Sequence, residues 1–249
     1  MKLEKKSFNL KIILVEPNGP LNVGSIARLC SNFSVQELRI VSPKCDIFSL
    51  DSKRMALKGK SYLDQCKIFK SLNESIADCD LVLATSGRTN LSKVSNEDSF
   101  ERISSWISDF KNIKNLAIIF GREDKGLTNK ELLMAQKVFR INTSYKNYSL
   151  NLSHAVSIVL YELQKISNNK NKDSKEIFNL ASPYQIEESF KEIKNLLLKI
   201  GYFLPHTSNI KISKFKKYIF KAETSKNELN IIRGIVHQIN WALKNSDKI

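Results

Sequence analysis

Leu116-Ala117-Ile118-Ile119-Phe120-Gly121-Arg122-Glu123-Asp124-Lys125-Gly126-Leu127 is the stretch that decides the fold. Its first five residues are apolar without interruption, as in a strand buried on both faces of a parallel sheet. The strand runs directly into a polar, glycine-bearing loop. In α/β proteins the site is built from loops at the ends of buried strands. Working outward, Lys11-Ile12-Ile13-Leu14-Val15-Glu16, Leu38-Arg39-Ile40-Val41 and Leu81-Val82-Leu83-Ala84-Thr85 are runs of the same kind. Two further polar segments lie at the edges of apolar elements, Asn22-Val23-Gly24-Ser25-Ile26-Ala27-Arg28 and Tyr148-Ser149-Leu150-Asn151-Leu152-Ser153.

Helical patterns separate the strands. Ser71 and Glu74 have the spacing of a capping box. From Asp98 to Phe110, the residues Phe100, Ile103, Trp106, Ile107 and Phe110 recur at helical spacing. Strands alternating with helices predict βαβ units and an α/β fold with a mostly parallel sheet over residues 1–166. After a helix from Ala155 to Ile166, residues 167–175 contain no apolar side chain and predict an exposed linker. Residues 176–249 show three helical patterns, Tyr184–Ile200, Ile212–Ala222 and Glu228–Leu243, punctuated by Gly201 and Pro205. They predict a small C-terminal α-helical domain.

The chain carries 40 Lys+Arg against 25 Asp+Glu, a net charge of +15. Such a surplus attracts polyanions, of which nucleic acid is the commonest, although a lysine-rich solvated surface gives the same count. In the second tail helix Ile212, Phe215, Ile219 and Ala222 are expected on one face, with Lys211, Lys214, Lys217 and Lys221 lining the next. That face suits a phosphate backbone, and it equally suits solvent. No run of 18 apolar residues exists, so no membrane partner is expected. Met1–Lys6 lacks an apolar core, and a cytoplasmic location is expected. Cys30, Cys45, Cys66 and Cys79 and the three histidines show no zinc spacing, so buried reduced thiols and no metal are expected. There is no GxGxxG, no P-loop and no GxSxG, which sets aside dinucleotide enzymes, nucleotide hydrolases and serine hydrolases. No helix-turn-helix or zinc pattern supports DNA binding.

Each polar segment has a structural reading when taken singly. Asn22 and Ser25 can cap a helix running to Phe33, Gly121 and Gly126 can be turn glycines, and Asn151 can be an N-cap. Their order and flanks together resemble the three motifs of the SPOUT class of RNA methyltransferases. The first motif resembles Leu14-Val15-Glu16-Pro17 followed by Asn22 to Arg28, the second Gly121, Glu123, Gly126 and Leu127, and the third Ser149-Leu150-Asn151. Within the class, Thr85-Ser86-Gly87-Arg88 and Asn227-Glu228-Leu229-Asn230-Ile231-Ile232-Arg233-Gly234-Ile235 resemble segments of the TrmJ-type tRNA (cytidine/uridine-2′-O-)-methyltransferases. Pro17–Leu21 and Asn142–Asn147 depart from that family's usual pattern.

The resemblance implies a trefoil knot and S-adenosylmethionine as cofactor. It implies 2′-O-methylation of tRNA at the cytidine or uridine of position 32, the first ribose of the anticodon loop. Relatives with the same motifs act elsewhere on tRNA or on ribosomal RNA, and a silent RNA-binding protein on this scaffold is the remaining alternative. By position, Asn22, Arg28, Glu123, Ser149 and Asn151 are expected at the catalytic face. Arg28 would orient substrate, Glu123 would orient Arg28 or Asn22, and Ser149 and Asn151 would bond the ribose. Thr85, Ser86, Gly87, Gly121, Ile141, Tyr148, Ser149 and Leu150 are expected around the cofactor. A homodimer is implied, with Asn22 and Arg28 serving the partner's cofactor.

Overall fold

The computed structural model describes residues 8–87, 97–108, 113–143, 149–168, 180–222 and 224–245. They fall into two compact units, Met1–Ile177 and Phe178–Ile249. The first is built around β1 (Asn9–Val15), in which every residue after Asn9 is buried. α1 (Pro20–Asn32), β2 (Glu37–Val41), α2 (Leu50–Ala56), a 3₁₀ turn at Leu57–Gly59, α3 (Lys60–Asp64), β3 (Lys67–Phe69) and α4 (Leu72–Ile76) follow. Then come β4 (Leu81–Thr85), β5 (Glu97–Ser99), α5 (Phe100–Ser108), β6 (Asn115–Phe120), α6 (Asn129–Leu132), β7 (Lys137–Arg140) and α7 (Leu152–Asn168).

The seven strands form one sheet in the order β3-β2-β1-β6-β4-β7-β5. All six pairings between them are parallel. β1 neighbours β2 on one side and β6 on the other, so the chain order reverses beside β1. In doubly wound sheets such a switch point opens a crevice at the strand ends. The trefoil knot implied by the resemblance involves the loop from Ile141 to Leu150, of which residues 144–148 lie outside those described.

β1, β2, β4 and β6 lie where the apolar runs place them. β3, β5 and β7 were not expected, because none carries a long apolar run: Lys-Ile-Phe, Glu-Asp-Ser and Lys-Val-Phe-Arg. Their pairing with established strands, rather than their own pattern, makes them strands. Buried Gln136 fixes the start of β7, accepting from the Val82 N–H (2.6 Å) and donating to the Asp80 carbonyl (3.0 Å). β5 takes the first residues of the expected Asp98–Phe110 helix, so α5 begins at Phe100. Phe100, Ile103 and Ile107 are buried there, and Phe110 lies outside the described residues. At α4 the Ser71 hydroxyl accepts from the Glu74 N–H at 3.3 Å.

Two charged residues lie inside the sheet, Lys11 (5% exposed) and Arg39 (2%). Asp78 bridges both, with Arg39 at 2.7 and 2.8 Å and Lys11 at 2.6 Å; Glu37 adds a 2.8 Å contact to Arg39. Hydrogen bonds from Arg39 hold the Asp78 carboxyl well below the usual carboxylate range. All four cysteines are free thiols. Cys30 and Cys79 are buried as expected, but Cys45 and Cys66 are only half-buried. Burial pushes the Cys79 thiol up to about 12.

In the second unit α8 (Pro183–Lys199), α9 (Pro205–Lys221) and α10 (Lys226–Lys244) pack around Phe190, Ile193, Leu196, Phe203, Ile212, Leu229 and Val236. Ser182 and Ser225 start α8 and α10 with complete capping boxes. α9 begins seven residues before the expected Ile212, with Pro205 in its first turn. Its core face is also shifted: Ser208 and Ile212 are buried and Ile219 and Phe220 half-buried, whereas Phe215 and Ala222 are exposed. No described helix is long and apolar enough to cross a membrane.

Candidate active site

The loop after β6 is a tight hairpin. The Gly126 N–H donates to the Arg122 carbonyl at 2.9 Å, with Gly126 in the left-handed region at φ 63°. At Gly121 a Cβ would lie 2.3 Å from the Gly126 carbonyl carbon, so only glycine lets the two limbs meet. Arg122 locks the loop from behind, bonding Glu131 at 2.9 and 3.0 Å and Glu16 at 3.0 and 3.1 Å. Hydrogen bonds to Glu131 and Glu16 raise the Arg122 pKa, and its hydrogen bond in turn lowers that of Glu16. Burial opposes the charge on Glu131, yet bonds from Arg122 and Thr128 still hold its carboxyl below the ordinary range.

This clamp presents Glu123 to the start of α1. Helix α1 begins at Gly19, which offers no side-chain cap. Glu123 fills that role from the neighbouring strand end: Oε2 accepts from the Asn18 N–H (3.0 Å) and Oε1 from the Gly19 N–H (3.1 Å). A carboxylate is favoured there by the unpaired amides and the helix dipole. Glu123 Oε1 also accepts from Asn22 Nδ2 at 3.1 Å. Asn22 is therefore not a cap but a residue of the first turn, with its amide oriented by Glu123.

Asn22 Oδ1 in turn accepts from Asn151 Nδ2 at 3.0 Å. Asn151 Oδ1 accepts from the Ser153 N–H at 2.9 Å and the Ser153 hydroxyl at 2.7 Å, capping α7. Asn151 thus caps α7 and at the same time bonds Asn22 of the first motif. A carboxylate can only accept, so it fixes the Asn22 amide, and Asn22 then fixes Asn151. Three segments far apart in sequence are joined in one directional chain, Glu123–Asn22–Asn151.

Beside this chain is a cavity of about 250 Å³ lined by the ends of β4, β6 and β7 and the start of α7. Thr85, Ser86, Gly87, Gly121, Glu123, Ile141, Ser149 and Leu150 line it. Thr85 is held by its hydroxyl, which donates to the Ile119 carbonyl at 3.1 Å. Tyr148, expected here, lies outside the described residues. Leu127 of the second motif also lines the cavity, as do Leu152 and Ala155, to which the sequence analysis gave no role. Arg122 and Glu16 stood within the quoted motif segments but were given no role, although the Thr128-x-x-Glu131 capping box beside the loop was a legible signal.

The expected catalytic residues divide. Glu123 and Ser149 line the cavity, while Asn22 and Asn151 stand behind it in the hydrogen-bonded chain. Arg28 is exposed on α1, is not among the lining residues, and makes no side-chain hydrogen bond or ion pair among the described residues. Glu123 thus orients Asn22, not Arg28. Both ends of the Asn151 amide are used within the protein. Gly24 serves packing: a Cβ there would meet the Ser52 carbonyl oxygen at 2.2 Å, so α2 rests directly on α1. No group of three or more His, Cys, Asp or Glu able to hold a metal exists among the described residues.

Residues 9–161 match the SpoU rRNA Methylase family. The tRNA (cytidine-2′-O-)-methyltransferase TrmJ of Methanocaldococcus jannaschii is 36% identical over 217 residues, 85% of this chain and 87% of that protein. The tRNA (cytidine/uridine-2′-O-)-methyltransferase TrmJ of Escherichia coli K12 is 28% identical over 237 residues, 93% of this chain and 95% of that one. The crystal structure of TrmJ from Z. mobilis ZM4 superposes with a TM-score of 0.78 at 26% identity, covering 92% of this chain and 98% of that one. With its parallel sheet, the joined strand-end loops and a family match over most of the first unit, the chain belongs to the SpoU methylase family.

Proposed function

We propose that this chain transfers a methyl group from S-adenosylmethionine to a ribose 2′-hydroxyl of tRNA, at the cytidine or uridine of position 32. The observation that carries this reading is the Glu123–Asn22–Asn151 chain beside a cavity formed by three strand-end loops. The cavity suits the cofactor. Backbone groups at Thr85–Gly87, Gly121 and Ile141 can bond a polar base and an amino acid, and Leu127, Leu150, Leu152 and Ala155 supply apolar walls.

S-adenosylmethionine held there would supply an electrophilic sulfonium methyl, the ribose oxygen forming its bond to that carbon in line as the carbon–sulfur bond breaks and the neutral thioether leaves. Ser149, exposed at the cavity wall, is placed to bond that ribose. Arg28 attracts the neighbouring phosphate and stabilises the developing oxyanion as the hydroxyl proton passes to solvent water. A guanidinium is a poor base, so its role is electrostatic. The Glu123–Asn22–Asn151 chain fixes the start of α1, the helix that carries Arg28, against the loop after β6 and the start of α7.

The protein acts in the cytoplasm as a homodimer that places Arg28 of one protomer at its partner's cavity. Two observations support that: Arg28 does not line its own cavity, and Leu21 (54% exposed), Ile158 (38%) and Tyr161 (54%) leave apolar surface on α1 and α7. The direct test is incubation of purified protein with S-adenosylmethionine and unmodified tRNA transcripts, followed by mass spectrometry of nuclease fragments. A methyl on the first anticodon-loop ribose is expected. Methylation at another site keeps the chemistry and discards the substrate; no methylation of tRNA or ribosomal RNA discards the enzyme.

A further inference from the structure

In the turn before α9 and along that helix, three large aromatic side chains are exposed: Tyr202 (67% exposed), Phe215 (54%), one side of whose ring packs edge-on against Phe190, and Tyr218 (69%). α9 turns Ile212, Ile219 and Phe220 toward its neighbours, which leaves Phe215 and Tyr218 on the outer side. The rings are contiguous with cations. Lys211 Nζ lies 5.7 Å from the Tyr202 ring centre, and Lys211, Phe215 and Tyr218 follow at steps of four and three residues along one helix face. Lys214 is one turn from Tyr218 on the same side.

From Pro205 to Lys221 there are five lysines and no acid. Lys216 is neutralised by Glu187, but neither Lys211 nor Lys214 pairs with a carboxylate among the described residues. A protein-docking face of this kind would be expected to exclude lysine from its centre. Rings interleaved with unpaired cations instead match the surfaces that hold single-stranded nucleic acid, where bases stack on aromatics and lysines follow the phosphates. A paired helix hides its base faces and offers such rings nothing to stack on.

We propose that Tyr202, Phe215 and Tyr218 form a stacking platform for unpaired bases of the RNA substrate, with Lys211 and Lys214 holding the adjoining phosphates. The tail thereby selects for unpaired nucleotides and not for RNA charge alone. The proposal rests on the RNA-methylation reading only in taking RNA as the ligand class.

The test uses the full chain and fluorescence anisotropy with two probes, a single-stranded oligouridylate and a fully paired RNA duplex of equal length. Tyr202→Ala and Tyr218→Ala should each weaken single-strand binding about tenfold and change duplex binding less than about twofold. Tyr202→Phe and Tyr218→Phe should bind as wild type. Lys211→Gln and Lys214→Gln should weaken both probes and flatten the salt dependence, which the tyrosine variants should leave unchanged. Equal losses on both probes, or none on the single strand, overturn the platform. Wild-type methylation of tRNA is read in parallel. A ring-dependent single-strand preference without methylation would sink the enzyme reading alone, and methylation without that preference would sink the platform alone.

Discussion

Replacing Asn22 by aspartate reverses one hydrogen bond at the centre of the site while keeping its shape. The native amide donates to Glu123 over 3.1 Å and accepts from Asn151 over 3.0 Å. An introduced carboxylate keeps the second bond and turns the first into a contact between two anionic oxygens. At that separation the repulsion is about 5 kcal/mol for an effective dielectric of about 20. Both side chains are half-buried, so solvent screening reduces it to about 2–3 kcal/mol. Protonation relieves it, because a carboxylic acid can donate to Glu123 as the amide did.

The folded variant therefore holds a proton that the unfolded chain releases near pH 4, because the neighbouring carboxylate raises the folded pKa. The sign follows: stability is close to wild type below about pH 4, falls as pH rises to about 6, and stays low above that. Urea unfolding of both proteins from pH 4 to 8.5 checks this, with an expected gap widening by about 2–3 kcal/mol. Methyl transfer at pH 8 should fall by about 30- to 150-fold if the same energy is lost from the aligned site. A gap that does not change with pH, or wild-type turnover at pH 8, would refute the reasoning.

Arg28→Ala should abolish methyl transfer and leave S-adenosylmethionine affinity within about twofold, since its assigned role is toward the substrate phosphate and oxyanion; calorimetric titration of the cofactor beside a turnover assay decides it, and near-native turnover removes the assigned role. Gly121→Ala drives a Cβ to 2.3 Å from Gly126, so the loop must open; cofactor affinity should drop at least about tenfold, and unchanged affinity would show that the loop is not part of the cofactor site. Asp78→Asn leaves Arg39 and Lys11 with Glu37 as their remaining carboxylate and, discounted for the exposure of the Asp78 side chain, should cost about 1–2 kcal/mol of stability, read from the shift in urea midpoint. Because the folded pKa of Asp78 is depressed, its contribution is present above about pH 4 and is lost as the medium becomes more acidic, so the gap between wild type and Asp78→Asn should close on acidification.

The four long apolar strands were legible because a strand buried on both faces must be apolar throughout. β4 and β6 come close to that, β1 and β2 depart from it at Lys11 and Arg39, and the loops after β4 and β6 are where polar residues and glycines interrupt the pattern. β5, with Glu-Asp-Ser, was illegible because an edge strand is specified by its neighbour's free ladder groups and not by its own side chains. Lys11 and Arg39 sat inside runs read as wholly apolar. Their carboxylate partner Asp78 lies 67 and 39 residues away in sequence, beyond the reach of any local pattern. Phe215 was assigned to the core because spacing gives a face, not its orientation; three-helix packing turned that face toward Ile219 and Phe220.

The sequence by itself determined the class of the fold, the order of its polar loops and the residue types available for chemistry, since hydrophobic periodicity and loop chemistry are local properties. Tertiary structure alone decided which of those residues meet. It made Glu123 the cap that α1 lacks, used the Asn151 amide at both ends within the protein, and left Arg28 apart from the cavity. Those outcomes depend on the parallel sheet bringing the ends of β1 and β6 side by side, a pairing between segments more than a hundred residues apart that local sequence does not encode.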